Sequence, residues 1–320
     1  MGAAERASGA SPVDGPVDVV LAGCRATDEL DPGAGAATYP STDHGPLVAA
    51  LERRGATWAV AAWDDPRVDW SLAGRVLLSA TWDSVDRPAE FLDWVRRVST
   101  VASVVNPPTV VEWNLDKRHH RDLAGAGVPV VPTTWLEPPE ADASDTAGTQ
   151  WAPDPAGPHD LVIKPSVSAG GRATARFDTS VPAQAEAAVA HVAGLHGAGQ
   201  AAMVQPYVAA VDDPGEIDLV FIGGGFSHAV RKLPVLVAGA AVPERPWERT
   251  AWAGVADPTS EELAVAEGAV AAASRLLGCR LAYARVDLAG GWVLELEAID
   301  PLLSFDLVPE AADRLAALLV

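Results

Sequence analysis

Acidic and apolar residues alternate near the C-terminus, and this alternation is the feature that most constrains the fold of the chain. Two alternating segments within residues 281–300 flank the sequence Ala289-Gly290-Gly291. Successive side chains of a strand point to opposite faces, and glycine adopts the positive φ of tight turns, so the pattern predicts a β-hairpin. With a three-residue loop, the expected opposite pairs are Arg285 with Glu295, Asp287 with Val293, and Tyr283 with Glu297.

The predicted hairpin has one apolar and one polar face. Opposite carboxylates on paired strands lie about 5 Å apart and repel each other unless a cation lies between them. Asp and Glu are poor strand formers, and Mg²⁺ prefers carboxylate oxygens together with substrate phosphates. We therefore predict a metal site on this face, although a solvated outer face of an antiparallel sheet would show the same alternation. The polar face collects Tyr283, Arg285, Asp287, Glu295 and Glu297, with the three carboxylates as metal ligands.

A second stretch combines an apolar run, a lysine and a loop of small residues. The run at residues 161–164 ends in Lys164, the loop spans residues 166–171, and residues 173–177 resemble a returning strand. Serine and glycine let backbone N–H groups approach an anion, and a lysine ammonium suits phosphate. Because the spacing of a P-loop is missing, we predict a flap over phosphates, with an ordinary hairpin as the alternative.

Strands and helices alternate in the first third of the chain, which predicts a parallel sheet in an α/β domain. Asp43 and Pro88 each mark the expected start of a helix, and the first of these helices should end at Gly55. The expected strands are residues 17–23, 57–62, 75–79 and 101–105.

The remainder of the chain has an α+β pattern. Asn114 is predicted to cap a helix that runs to Ala126 and carries Lys117 and Arg121. A hairpin is expected over residues 217–232 and a long helix over residues 261–277, whereas residues 137–159 have the composition of a mobile loop. The predicted divisions are a flexible tail (1–16), an N-terminal domain (17–113), a small lobe with the flap (114–208) and a C-terminal lobe (209–320).

Composition argues against several classes of function. The net charge is −20, from 23 basic and 43 acidic residues, which disfavours nucleic acid and anionic membranes as partners. No apolar run approaches the ~20 residues of a membrane span. The two cysteines provide no disulfide framework and fit a reducing cytoplasm. In a chain whose basic residues are mostly arginine, the lysines at 117, 164 and 232 suggest positions that require a compact ammonium group.

Taken in order, the motifs resemble the ATP-grasp superfamily in its glutathione-synthetase-like branch. The resemblance runs from Asn106 to Pro309 and depends on the order and spacing of the motifs together. These motifs are Asn114-Leu115-Asp116-Lys117, Val162-Ile163-Lys164-Pro165 with its loop, Val204-Gln205-Pro206-Tyr207-Val208, Gly215-Glu216, His228-Ala229-Val230-Arg231-Lys232, Arg285-Val286-Asp287 and Glu295-Leu296-Glu297.

The resemblance implies a two-lobed ATP-grasp domain with mainly antiparallel sheets after the N-terminal parallel-sheet domain. It implies ATP and Mg²⁺ as cofactors, with Mn²⁺ as an alternative metal held by Asp287, Glu295 and Glu297. Arg285 would face the transferring phosphoryl group or the developing oxyanion, while Arg231 or Lys232 would add charge on the substrate side. The implied nucleotide contacts are Lys117, Lys164, Ser166, Ser168, Gly170 and Gly171 for the phosphates, Gln205, Tyr207 and Val208 for adenine, and Glu216 for ribose.

The implied activity is that of an ATP-dependent carboxylate–amine ligase, which acts through an acylphosphate on a small amino-acid-like substrate. Trp63-Asp64-Asp65 resembles the cycloserine-forming (O-ureido-serine) cyclo-ligase subgroup, although these tryptophans would also suit packing at a sheet edge. That subgroup commonly has Arg-Ser-x-Trp-Asp-Tyr where this chain has Ser79-Ala80-Thr81-Trp82-Asp83-Ser84, and Glu297 stands where the family usually has Asn. Intramolecular ring closure, a small-molecule kinase and a non-catalytic nucleotide-binding protein remain alternatives. The oligomeric state is open, with a homodimer as the commonest closed assembly.

Overall fold

The computed structural model describes residues 13–25, 41–139, 151–234, 236–239 and 252–320. An N-terminal sheet contains four parallel strands in the order β2-β1-β3-β4, as the alternation of strands and helices predicts. Helices α1 (His44–Arg53) and α2 (Pro88–Val98) pack into separate apolar clusters on this sheet. The strands are β1 (Val17–Gly23), β2 (Trp58–Ala62), β3 (Ala73–Leu78) and β4 (Ser103–Val105).

The C-terminal helix returns to this N-terminal sheet. Helix α7 (Ala312–Leu319) shares an apolar cluster with α1, and the guanidinium of Arg54 lies 2.6 Å from the Asp313 carboxylate. Helices α1 and α7 are therefore parts of one packed layer.

The first antiparallel sheet has the strand order β5-β8-β6-β7. Helix α5 (Pro182–Gly197) packs against it through Ala188, Val192 and Leu195. The loop between β6 and β7 is the predicted flap, and β8 ends at Pro206, as a residue without an N–H group requires. Its strands are β5 (Thr134–Leu136), β6 (Asp160–Pro165), β7 (Ala175–Asp178) and β8 (Ala202–Pro206).

The second antiparallel sheet has the strand order β11-β10-β9-β12-β13. The long helix α6 (Ser260–Leu277) covers one face, begins with a capping box between Thr259 and Glu262, and ends at the left-handed Gly278. Both parts of the predicted fold class are confirmed. The strands are β9 (Glu216–Ile222), β10 (Gly225–Lys232), β11 (Trp252–Ala256), β12 (Tyr283–Ala289) and β13 (Trp292–Glu297).

The predicted helix from Asn114 to Ala126 is wrong at its start. The chain instead forms two short helices, α3 (Pro108–Asn114) and α4 (His119–Gly125). Lys117 lies between them, and its N–H group donates to the carbonyl of Ser166, 2.8 Å away. The helix breaks here because this backbone is bound to the flap strand.

The predicted strand pairs of the C-terminal hairpin are also wrong. The turn has two residues, Gly290-Gly291, both with positive φ, and Leu294 is an extra residue that forms a bulge in β13. The predicted polar face is nevertheless correct. Each residue of β12 pairs with a residue of β13 two positions further along than predicted, and a shift by an even number keeps every side chain on the same face. The observed pairs are Arg285 with Glu297, Asp287 with Glu295, and Leu288 with Val293.

Some predictions concern residues outside the described part of the chain. Residues 1–12 of the predicted tail and residues 140–150 of the predicted loop are among them. Among the described residues, no helix is long and apolar enough to cross a membrane.

Candidate active site

The face of the second antiparallel sheet opposite α6 carries charged residues from β9, β10, β12 and β13. Asp287 and Glu295 are paired across β12 and β13, and Asp218 is paired with Asp287 across β9 and β12. The sequence pattern placed both Asp287 and Glu295 on this face, although it paired them with other residues. It missed Asp218, although this acidic residue is flanked by Ile217 and Leu219 in the otherwise apolar strand that begins at Glu216.

Arg285 holds two of the predicted metal ligands together. Its guanidinium donates 2.7 and 2.9 Å hydrogen bonds to the two oxygens of Asp287 and a 2.8 Å bond to Glu297. A fourth contact, of 3.3 Å, reaches the carbonyl oxygen of Leu302 beyond the end of β13. The rigid fork of arginine makes this bidentate arrangement possible, and it fixes both carboxylates relative to the guanidinium.

Lys232 lies among a second set of carboxylates on the same face. Its ammonium nitrogen is 2.9 Å from Glu216, 2.9 Å from Asp218 and 3.2 Å from Asp287. Glu216, predicted as a ribose contact, is therefore ion-paired with Lys232. This lysine compensates acidic residues of the sheet, and Asp287 belongs to both charged groups.

Arg231 lies on the opposite face, which corrects its predicted position on the substrate side. Its guanidinium donates to the carbonyl oxygen of Gly215 at 3.1 Å and approaches Glu262 of α6 at 3.9 Å. Neighbouring residues of a strand alternate between faces, so Arg231 and Lys232 cannot both point to the site.

Two asparagines fix the ends of β12 and β13. Asn114 donates to the carbonyl of Leu296 and accepts from the N–H of Ala298, the two residues that flank Glu297. Asn106, at the end of β4, donates to the carbonyls of Tyr283 and Ala298 at 2.9 and 2.8 Å. Both side chains are buried. Asn106 joins the end of the N-terminal sheet, and Asn114 joins α3, to the strands that carry the acidic residues.

The flap is held against this face by the two predicted phosphate-binding lysines. The ammonium of Lys117 donates to the carbonyl oxygen of Ser168 at 2.5 Å and to its hydroxyl at 3.1 Å, and lies 3.2 Å from Glu295. Lys164 points to the same strand, with its ammonium 3.5 Å from the carbonyl oxygen of Leu294. The structure thus brings together the lysines, the flap and the carboxylates that lie far apart in sequence.

The flap itself has the backbone that its small residues allow. Gly170 and Gly171 have φ values of 60° and 72°, in the left-handed region that favours glycine. Ser166 is buried, and its hydroxyl lies 3.4 Å from Asp116. Beyond the glycines, Arg172 forms a 2.7 Å ion pair with Asp86 of the N-terminal domain.

The residues predicted to line the adenine site lie at the end of β8 and in the connection that leads to β9. Gln205 is buried and donates to the hydroxyl of Thr133 at 2.8 Å, while Val208 lies within reach of the turn at Gly290. Tyr207 is engaged elsewhere. Its hydroxyl donates to Asp212 at 2.6 Å, and its ring lies 3.3 Å from the guanidinium carbon of Arg176.

Charge and burial shift the pKa values of the carboxylates in different directions. Burial raises the pKa of Glu297 to about 7, although Arg285 opposes this shift. Burial also acts on Glu295, but the ammonium groups of Lys117 and Lys164 outweigh it and lower its pKa. The pKa of Asp287 is held below its usual range because Arg285 and Lys232 outweigh its burial.

The three predicted metal ligands fit a divalent cation. Asp287, Glu295 and Glu297 each offer a carboxylate oxygen, and these oxygens lie within 4.8 Å of one another. Hard oxygen donors of this kind suit Mg²⁺. Glu216, Asp218 and Asp287 meet the same distance, but the ammonium of Lys232 already lies among them.

The N-terminal sheet meets this site at the carboxyl ends of its strands. After β3, Ala80 has a positive φ of 75°, and the hydroxyl of Thr81 then donates to Asp300 at 2.8 Å. Trp63, which follows β2, is buried, and its indole N–H donates to Asp83 at 2.7 Å. The tryptophan motifs therefore form part of the core and of the contact between residues 80–83 and Asp300, which we call the seam.

Comparison with known proteins identifies the family. Residues 19–106 match the family model described as D-cycloserine synthetase DcsG, N-terminal domain. The cycloserine biosynthesis protein DcsG of Streptomyces lavendulae is 36% identical over 283 residues, which cover 86% of this chain and 91% of that relative. The chain belongs to the DcsG family of ATP-grasp ligases. It is an ATP-dependent ligase that forms C–N bonds.

Solved structures agree with this family. The crystal structure of D-cycloserine synthetase DcsG has a TM-score of 0.76 and 31% identity, and the match covers 94% of this chain and 99% of that one. An ATP-grasp RimK domain protein from Sphaerobacter thermophilus has a TM-score of 0.60 at 17% identity, covering 93% and 98%. A D-alanine–D-alanine ligase from Bacillus anthracis has a TM-score of 0.54 at 13% identity, covering 94% of both chains. The last two show the shared fold.

Several residues of this ATP-grasp ligase that shape the site were missed from the sequence. Asn106 and Asp300 carry no pattern of their own, since each acts on a segment distant in the chain. Asp43 was predicted only as a helix cap, but its carboxylate accepts from the N–H groups of Leu303 and Phe305 at 2.6 and 2.7 Å. A tertiary contact of this kind has no local sequence signal.

Proposed function

We propose that this ligase phosphorylates a carboxylate of a small amino-acid-like substrate and then closes a ring of the cycloserine type. The observation that carries the proposal is the convergence of Lys117 and Lys164 with Asp287, Glu295 and Glu297 beneath the flap. The names of its DcsG relatives support the ring-closing version.

The first step transfers the γ-phosphoryl group of ATP. A carboxylate oxygen of the substrate attacks the γ-phosphorus, the bond from that phosphorus to the β,γ-bridging oxygen breaks, and ADP leaves. Lys117 and Lys164 offset negative charge on the phosphates from the flap side. Lys164 is poorly solvated because it is buried, and this lowers the pKa of its ammonium group. A poorly solvated ammonium interacts strongly with an anion.

The second step forms the C–N bond. A substrate nitrogen attacks the acyl carbon of the acylphosphate, the bond from that carbon to the phosphate oxygen breaks, phosphate leaves, and the nitrogen loses a proton. Arg285 is placed to stabilise the oxyanion, because its guanidinium is locked between Asp287 and Glu297. The flap, held by Lys117 and by the Arg172–Asp86 pair, excludes water that would hydrolyse the acylphosphate.

Asp287, Glu295 and Glu297 would hold Mg²⁺, which when bound supplies charge neutralisation for the phosphates. When it is ionised, Glu297 brings one more negative charge to this set than the usual asparagine would. We infer that Arg285, which donates to Glu297 at 2.8 Å, compensates this extra charge.

ADP release combined with product mass tests the proposal. Purified protein with Mg²⁺-ATP is supplied with O-ureido-serine, and separately with a panel of amino acids paired with amines. A product from a single substrate, lighter by water or by water and a small fragment, supports ring closure. A product that sums two substrates supports intermolecular ligation, and a stable phosphorylated product would indicate a kinase.

Glu295→Gln is the matched variant for this assay. It removes a charge from the metal set while preserving shape, so ADP release should fall by at least about 100-fold. Glu261→Gln, on the exposed start of α6, is the control and should retain the wild-type rate. ADP release from none of the substrates by the wild-type protein would contradict the proposed function.

A further inference from the structure

The segment that follows β13 is fixed at nearly every residue. The hydroxyl of Tyr283 donates to the carbonyl of Ile299 at 2.5 Å, and Arg285 donates to the carbonyl of Leu302. His228 contacts the carbonyl of Leu303 at 2.7 Å through its Nε2 atom. Contacts from β10 and β12 therefore hold the segment that begins with Asp300 in one position. Functional groups that are held in this way suit precise recognition.

Asp300 has an acidic side chain that forms no ion pair, although Arg285 attracts it electrostatically from a greater distance. Its carboxylate accepts a 2.8 Å hydrogen bond from Thr81, and its side chain is half-buried. Among the described residues, no basic side-chain nitrogen lies within 4.0 Å of this carboxylate. A half-buried carboxylate that lacks a counter-ion favours the approach of a cation.

Neighbouring carboxylates already have partners. Asp83, the other carboxylate of the seam, is paired with Arg87 at 2.5 Å and accepts from Trp63. Asp43 is buried and saturated by two backbone N–H groups. Asp300 is thus the carboxylate of this seam that has capacity for a new cationic partner.

The location of Asp300 is where a substrate would bind. Thr81, which follows β3, contacts Asp300, and Asn106, which follows β4, contacts Ala298 in the preceding turn of chain, so the carboxyl ends of these parallel strands lie beside this segment. Ligands of parallel sheets bind at such ends. Arg285, which would contact the reacting carboxylate, touches the same segment two residues later at Leu302. A substrate that reaches Arg285 with its carboxylate therefore has Asp300 close to its other polar groups.

We propose that Asp300 binds the α-ammonium group of the substrate and thereby selects α-amino carboxylates. This inference rests on the proposed function. If the ammonium group of the substrate lies beside Asp300, the carboxylate of the same molecule can point to Arg285. Opposite charges at the two ends of a small substrate would fix its orientation before phosphoryl transfer.

The test compares an amino substrate with its des-amino analogue. O-ureido-serine and 3-(ureidooxy)propanoate differ only in the ammonium group, and ADP release gives kcat/KM for each. The wild-type protein should prefer the amino substrate by about 100-fold or more, since buried polar groups reject analogues that leave them unpaired. Asp300→Asn should lower kcat/KM for the amino substrate about 100-fold and leave the value for the analogue within a few-fold.

Control variants and a Tm measurement distinguish a role of Asp300 in substrate recognition from a structural role. Asp306→Asn alters an exposed carboxylate of the same segment and should retain the wild-type preference. An equal loss for both substrates, together with a lower Tm, would make Asp300 a structural link to Thr81 and overturn the inference. An undiminished preference in Asp300→Asn would overturn it while the proposed function stands. If the wild-type protein releases ADP with neither compound, both fail.

Discussion

The ammonium nitrogen of Lys232 lies 2.9 Å from a carboxylate oxygen of Asp218, a residue with 0% exposure in the centre of the second antiparallel sheet. The pKa of Asp218 is raised by its burial and by the nearby Asp287, while Lys232 opposes that shift. A charged side chain of this kind stabilises the sheet only while its partner is present.

Replacement of Lys232 by methionine should therefore destabilise the protein by about 3 kcal/mol, because Glu216, Asp218 and Asp287 would lose their shared cation and Asp218 would keep only Arg285, 3.4 Å away. Urea unfolding followed by circular dichroism measures this change. The double variant Asp218→Asn/Lys232→Met removes both charges and should recover most of the loss. An unaltered unfolding midpoint in the single variant would show that the ion pair contributes nothing to stability.

Lys164→Met should leave the fold intact and impair the reaction. Since burial already disfavours the charged form of Lys164, loss of the ammonium costs little stability, but the flap loses a phosphate contact. We expect kcat/KM for ATP to fall by about 100-fold, as measured by ADP release. Arg231→Met is the matched control, because this cation lies on the α6 face and should retain turnover. Equal activity of Lys164→Met and wild type would reduce the flap to an ordinary hairpin.

The contribution of Asp43 to the stability of the protein should fall as the pH rises from about 4 to about 6. Burial raises the pKa of Asp43 from 3.8 to about 6, against the opposing bonds from Leu303 and Phe305. In this interval the folded state holds a proton that the unfolded state has lost, so the contribution is greatest below pH 4 and is lost through pH 6. The size is about 3 kcal/mol at most.

Unfolding of Asp43→Asn across the same pH range isolates this contribution. The free energy of unfolding of the wild type relative to the variant should decrease over this range, while Asp300, whose pKa is also raised to about 6 by burial, contributes with the same sign in both proteins. A variant profile that parallels the wild type would assign the pH dependence to other groups.

Iodoacetamide at pH 8 should modify one of the two cysteines. Burial raises the pKa of the Cys24 thiol to about 12, and the residue has 0% exposure, so it should resist alkylation. Cys279 is partly exposed and should react. Intact mass should show a single adduct on the native protein, two after unfolding, and none on native Cys279→Ser. Two adducts on the native protein would contradict the burial of Cys24.

The hairpin of β12 and β13 shows how far local pattern reaches. The alternation of acidic and apolar residues was enough to predict which side chains share a face, because the period of a strand is two. It was not enough to predict the pairs, because the bulge at Leu294 and the two-residue turn depend on packing against β9 and on the contact with Pro129.

Asn114 and Arg231 are residues whose contacts could not be predicted from local sequence. An asparagine before a run of helical residues has the same local signal whether it caps a helix or binds a distant strand, and here it binds β13. Adjacent cations in a strand are equivalent in sequence, and only the position of α6 decides that Arg231 faces away from the site.

The sequence by itself determined the α/β and α+β halves, the acidic face and the lysines that meet it, because periodicity and residue chemistry are local properties. Tertiary structure alone decided that Lys232 lies among Glu216, Asp218 and Asp287, and that Asn106 and Thr81 tie the N-terminal sheet to β12, β13 and Asp300. These contacts join residues up to 219 positions apart, and the pairing of charges over such distances follows from the packing of whole sheets.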